Sequence, residues 1–158
     1  MRFLSILCCS IVLVSANAFA AGCYTTKEAE AEQGIRIHSE LMVIGLNCQH
    51  MTPRGWKNFY QEYREITNRH KSLFSGYEET LIAFYSRNGS GSAERKIHDM
   101  RTNFANQTST DAAQMRPDVF CATYASRIPK VGKMSTAEFK RWAASAATTQ
   151  RLSQPICH

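Results

Sequence analysis

Several signatures of chemistry are missing from these 158 residues. There is no Cys-x-x-Cys pair, which removes the thioredoxin-like redox motif and the zinc ribbon. There is no Gly-x-Ser-x-Gly nucleophile turn. The short stretch Gly89-Ser90-Gly91-Ser92 lacks the Gly-Lys-Ser/Thr ending of a phosphate loop and follows no strand pattern. None of the five histidines stands four residues from another, so the helical metal-binding spacing is absent too. No useful run alternates with a strand period, and no internal repeat is present. Beyond the first 20 residues no apolar run approaches the roughly 20 residues that a bilayer-crossing helix needs.

What is present begins with an export pattern. Arg2 and the free amine precede an apolar run from Phe3 to Val14, and Ala18-x-Ala20 supplies a small-x-small cleavage site. Residues 1–20 are therefore expected to be a signal peptide cut before Ala21. Ala20-Ala21-Gly22-Cys23 is a rival reading, a lipoprotein box with Cys23 lipidated. Against it, the position three before the cysteine is alanine, the apolar core ends well upstream at Val14, and lipidation leaves an odd number of other cysteines.

Residues 21–158 form one domain-sized unit, long enough to bury about two-thirds of its unfolded surface. They carry 18 basic and 13 acidic side chains, a formal charge of +5. The charge is uneven: residues 21–80 hold seven basic and eight acidic groups, and residues 81–158 hold eleven and five. The basic side chains Arg95, Lys96, Arg101, Arg116, Arg127, Lys130, Lys133, Lys140 and Arg141 are the one feature that points to a ligand, an anionic one.

The apolar period is helical throughout. A first helix is expected from Lys27 to Gln49, capped by Thr25 with Glu28 three residues on. Ile37, Leu41, Ile44 and Cys48 share one of its faces, and 41–46 is apolar almost all round, as in a central buried helix. A second helix is expected from Pro53, with Thr52 as cap and Trp56 opening its apolar stripe. A third follows from Ser75, paired with Glu78, or is continuous with the second through a weak point at Gly76. Further helices are expected from Ala93 to about Met115, from Pro117 through Tyr124, and from Ser135, paired with Glu138, through Ala146. Residues 128–132 read as a loop and 154–158 as an extended tail. The fold class is all-α, a bundle of five or six helices around the first.

Cys8 and Cys9 leave with the signal peptide. Cys23, Cys48, Cys121 and Cys157 remain, an even number that reads as two disulfides in an exported domain. A first helix of ~23 residues spans roughly 35 Å, and bridged Cα atoms lie within about 7 Å, so Cys23–Cys48 is excluded. Of the two remaining pairings, Cys48–Cys121 with Cys23–Cys157 is preferred, because it joins two helical cysteines and ties the chain ends together.

Two motifs of known enzymes and carriers are approached and missed. His98-Asp99 on a helix is similar to the base of secreted phospholipase A2, but no cysteine flanks His98 and no Gly-rich calcium loop precedes it. Cys157-His158 is similar to the end of a haem attachment site, but Gln154 stands where the first cysteine belongs. No cofactor and no metal are expected.

Two longer stretches carry a resemblance. Glu40-Leu41-Met42-Val43-Ile44-Gly45-Leu46-Asn47-Cys48 within 28–48, and Met115-Arg116-Pro117-Asp118-x-Phe120-Cys121 within 111–124, resemble small exported hypothetical proteins of alphaproteobacteria. The resemblance implies a periplasmic location and carries no activity.

The expectation is a non-enzymatic exported protein that binds an anionic envelope component, such as lipopolysaccharide phosphates or peptidoglycan carboxylates, or an acidic protein. Nucleic acid is not an expected partner, since no binding motif is present. The alternatives are a small exported hydrolase that assembles His38, His70 or His98 with carboxylates, and a structural or stress-protective protein.

Overall fold

The structure, a computed structural model, describes residues 22–157 apart from Ser90. The expected signal peptide, Ser90 of the Gly-Ser connection and His158 lie outside the described residues. Among the described residues seven α-helices follow one another: α1 Thr26–Cys48, α2 Phe59–Arg69, α3 Lys71–Arg87, α4 Ala93–Gln114, α5 Pro117–Tyr124, α6 Arg127–Gly132 and α7 Thr136–Thr149. A 3-10 turn over Gln49–Met51 extends α1. The all-α class and the two disulfides are as the sequence indicates.

α1 begins where expected and for the expected reason. Thr25 Oγ1 accepts from the Glu28 amide at 3.3 Å, and the Glu28 carboxylate accepts from the Thr25 amide at 2.8 Å. The helix is the axis of the bundle and packs against each of the other six. Ile35, Leu41, Ile44 and Cys48 are essentially inaccessible. Close approach of α3 is set at Gly34, where a Cβ would stand 2.2 Å from the Tyr77 ring. Tyr77 is itself buried and its hydroxyl donates to Glu30 at 2.8 Å, so the ring has little room to retreat. Gly34→Ala is therefore expected to lower stability by about 1–3 kcal/mol through overpacking, even though alanine is the better helix former by about 1 kcal/mol. Urea unfolding midpoints measure this, and an unchanged or raised midpoint contradicts the tight α1–α3 contact.

The second helix starts later than Pro53. Gly55 adopts φ +85°, outside helical space, and the Trp56 amide closes a turn onto Pro53 at 3.0 Å. Asn58 becomes the cap, accepting from the Tyr60 and Gln61 amides. Trp56 consequently stands outside the helix and is 55% exposed, not part of the core stripe. α2 and α3 are nearly continuous, but the bend falls at His70 and not at Gly76. The His70 ring is buried against Phe74 and Phe139, and Nδ1 lies 3.2 Å from Thr136 Oγ1. Ser75 is therefore interior to α3, and its spacing with Glu78 caps nothing. The segment read as a loop at 128–132 winds into α6, because Ile128 and Val131, three residues apart, both bury completely. Pro129 sits within the first turn, where its missing N–H is tolerated. Ser135 and Glu138 form the second reciprocal cap, at the start of α7.

Both disulfides pair as preferred: Cys48–Cys121 joins the end of α1 to α5 with Cα atoms 5.5 Å apart, and Cys23–Cys157 joins the chain ends at 5.1 Å. The tail lies parallel to the residues preceding α1. The Tyr24 amide donates to the Pro155 carbonyl at 2.7 Å and the Cys157 amide to the Tyr24 carbonyl at 2.8 Å. Among the described residues, no helix is long and apolar enough to cross a membrane.

Candidate functional site

A helix packed on every side must place its polar residues in the interior, and buried polar groups are normally paired. α1 buries Glu28, Glu32, Gln33, His38 and Ser39. Glu28 is held by its capping amide and by Arg87. Glu32 accepts from the Ser153 amide at 2.9 Å and from the Ser153 hydroxyl, which fastens the tail. His38 Nε2 lies 3.0 Å from Thr67 Oγ1 and 3.2 Å from the Tyr63 hydroxyl. Ser39 donates to the Ile35 carbonyl at 2.9 Å. Gln33 is the exception. It is fully buried, and neither Oε1 nor Nε2 has a hydrogen-bond partner within the chain. One turn on, the buried Nε of Arg36 has none either. Each such group left unpaired costs about 1–3 kcal/mol.

Gln33 and Arg36 are among the residues lining a cavity of about 320 Å³ between α1, α6 and α7, although the unpaired atoms themselves are closed to solvent. α1 contributes Gln33, Arg36, Ile37 and Glu40, which share one face at helical spacing. α6 contributes Arg127 and Lys130, and α7 contributes Trp142, Ala146 and, at its end, Gln150. Gln33 and Ile37 are buried at the floor, while Arg127, Lys130 and Gln150 are exposed at the rim.

Three cations thus meet one carboxylate. Arg127 Nη1 lies 3.2 Å from Glu40 Oε2, and its guanidinium covers the Tyr124 ring at 4.8 Å. Arg36 lies over the Phe104 ring at 4.0 Å, donates to Gln107 Oε1 at 3.2 Å and to the Arg151 carbonyl at 3.0 Å, and pairs with Glu32 at 3.8 Å, which leaves Nε. Lys130 has no ion pair among the described residues. Burial pushes the Glu40 carboxyl above the usual carboxylate range; Arg127 and Arg36 oppose this and Asp111 adds to it.

Of the nine basic residues that point to an anionic ligand, this cavity gathers Arg127 and Lys130, while Arg116 is paired with Asp118 at 2.8 Å. Arg95 and Lys96 stand in the first turn of α4, where Lys96 borders a larger groove of about 590 Å³ with Arg36, Arg151, Glu32 and Asp99. Arg101 is tied to Glu78 at 2.8 Å. Lys133 follows α6, and Lys140 and Arg141 lie on α7, Lys140 beside Glu30 and Tyr77 in a shallow depression. Gln33, Trp142 and Gln150 escape a reading by charge, and Arg36 lies outside the basic second half of the chain. The signal for three of the site's residues was the polar series Gln33, Arg36 and Glu40, spaced by three and four on an otherwise buried helix.

Among the described residues no histidine forms an acid–base pair with a carboxylate. His38 stacks on Phe74 at 4.2 Å, and its ring nitrogen meets hydroxyl groups. Burial, reinforced by Arg101, holds its pKa down to about 4. His98 borders a cavity of about 330 Å³ with His38, and no carboxylate lines it. His70 meets Thr136; burial and then Arg69 push its pKa down, against the Met134 carbonyl. Among the described residues no three His, Cys, Asp or Glu side chains gather in a way that holds a metal ion.

Comparison of the chain with protein-family models, with curated proteins and with solved structures gives no match. The reading of function therefore rests on the cavity.

Proposed function

We propose that this protein is an exported, non-enzymatic binder of an anionic envelope component, and that the cavity between α1, α6 and α7 is its binding site. The observation that carries the reading is a cavity lined by Arg36, Arg127 and Lys130 against a single carboxylate, Glu40, with Arg127 and Lys130 exposed at its edge. Cations at the rim attract an anion over a distance, and a concave site holds what they attract. Export is supported by the ordered charge, apolar run and Ala18-x-Ala20 site of the first 20 residues, by the two disulfides, and by the resemblance of 28–48 and 111–124 to small exported bacterial proteins.

Retention of residues 21–158 on an envelope fraction, measured at increasing salt, tests the reading. Binding is expected to weaken as salt screens the rim charges. Replacing Arg127 and Lys130 together by alanine is expected to weaken it at least about tenfold. Glu40→Gln removes the one carboxylate of the cavity and frees Arg127, so it is expected to tighten binding by about three- to tenfold. Retention that ignores both salt and the Arg127/Lys130 pair contradicts the proposal.

A further inference from the structure

Among the described residues the exposed large apolar side chains are Leu46, Met51, Trp56 and Val119, each between 43% and 55% exposed. They are not scattered: all four lie at one end of the bundle. Leu46 is in the last turn of α1, and Met51 is in the 3-10 turn that continues it. Trp56 stands in the loop that leads to α2, and that loop is fastened to the same end. Asn58 Nδ2 donates to the Gln49 carbonyl at 3.0 Å, and the Phe59 amide donates to Thr52 Oγ1 at 3.3 Å. Val119 is on α5, two residues from Cys121, whose sulfur is bonded to Cys48 at the end of α1. We propose that this end of the bundle docks on an anionic lipid surface, through groups separate from the cavity between α1, α6 and α7.

Charge selects the partner. From residue 41 to residue 61 the chain has no acidic side chain, and Arg54 and Lys57 stand exposed on either side of Trp56 in sequence. Arg54 has no ion pair among the described residues, and Lys57 reaches Glu65 along α2 at 2.6 Å. The start of α5 adds Arg116 and its partner Asp118. Residues 21–158 carry +5 in all, which draws the protein to a negative surface from a distance. Basic groups beside exposed apolar ones are the composition that holds a protein at an anionic bilayer, and a tryptophan ring suits the headgroup level. A second copy of the chain fits less well. A symmetric contact brings Arg54 and Lys57 against their own kind. Four side chains also expose only a few hundred Å², against the roughly 1,200 Å² or more that a stable protein interface buries. A bilayer sets no such requirement of area. The contact rests on the surface and does not cross it, in keeping with the absence, among the described residues, of a helix long and apolar enough to span.

Flotation of the oxidised chain 21–158 with two kinds of vesicle tests this: phosphatidylglycerol mixed with phosphatidylethanolamine, and phosphatidylcholine alone. The partition coefficient is expected to be at least about tenfold higher on the anionic vesicles. Met51→Ser together with Trp56→Ser removes two exposed side chains, and is expected to lower partitioning at least about tenfold. Arg54→Glu reverses a charge at the docking end and is expected to lower it about tenfold on the anionic vesicles. No retention on either vesicle, or equal retention on both, overturns the proposal, and that comparison needs no variant. Retention that survives loss of Met51 and Trp56 but not of Arg127 and Lys130 overturns docking at this end and leaves the cavity reading standing. Sedimentation velocity of the same proteins without lipid supplies the last arm. A monomer at all concentrations supports the lipid assignment, and a dimer that Met51→Ser with Trp56→Ser abolishes gives this end to a second copy and overturns it.

Discussion

Replacing Cys48 and Cys121 together by alanine is expected to lower the free energy of unfolding by about 4–5 kcal/mol. The bridge closes a chain separation of 73 residues, and the chain-entropy relation assigns roughly 4.5 kcal/mol to a loop of that length. Both cysteines are also buried in the core, so truncation adds loss of contacts at the junction of α1 with α5. A domain of this kind has about 5–15 kcal/mol of stability in all, so the variant stands near the edge of folding. Urea unfolding of the variant against the oxidised parent measures the effect, and a loss below about 1 kcal/mol contradicts it. The second bridge closes the longer separation of 134 residues, yet its loss is expected to be better tolerated locally. Tyr24 is fully buried, its backbone is tied to Pro155 and Cys157, and its hydroxyl lies 2.9 Å from Ser153 Oγ. Glu32 holds Ser153 from the other side. The tail therefore keeps its place by hydrogen bonds where α5 depends more heavily on its sulfur link.

Apart from the two disulfide pairings, what was legible in the sequence was local. The pairs Thr25/Glu28 and Ser135/Glu138 cap helices because nothing distant competes with them. Ser75/Glu78 has the same spacing and caps nothing. The buried His70 ring, packed on Phe139 of α7, sets the bend upstream and lets α3 begin at Lys71. Pro53 looked like a helix start until Gly55, in the left-handed region, turned the chain away and left Trp56 outside. α6 has too few residues to register as a periodic segment, and its helix exists because Ile128 and Val131 both reach the core.

The candidate site divides along the same line. Arg127 and Lys130 were visible as charge, but charge alone did not separate them from Lys140 or Arg95. What separates them is a cavity, and cavities are made by elements distant in sequence. Gln33 was hidden for the opposite reason: a glutamine between acidic residues at the start of a helix reads as solvated surface. Its burial follows from the crowding of α1 by its neighbours, and its one trace in the sequence is the three- and four-residue spacing of Gln33, Arg36 and Glu40.

Acid lability provides the second large effect. His38 is 8% exposed, and the groups that face it are Tyr63 and Thr67 from α2, Phe74 from α3, and His98 and Arg101 from α4. None of them is a carboxylate able to stabilise an imidazolium. Burial first and Arg101 second lower its pKa from 6.5 to about 4. In the unfolded chain the ring takes up a proton as pH falls through 6.5, while the folded protein refuses it until about pH 4. The unfolded state binds more protons across that window, so stability falls with falling pH, by roughly 3 kcal/mol in total. His70, with its pKa also lowered, acts in the same direction. Glu40 and Glu62, whose carboxyl pKa values burial raises, act in the opposite one. The difference between parent and His38→Gln therefore isolates the ring, since glutamine does not titrate. The variant is expected to be somewhat less stable than the parent at pH 7.5, where it loses the ring's stacking on Phe74, and to lose much less stability on acidification. Urea midpoints from pH 7.5 to 4 measure both slopes. Equal slopes for the two proteins mean that His38 accepts its proton in the folded state as readily as in water, a result incompatible with its place between Tyr63 and Phe74.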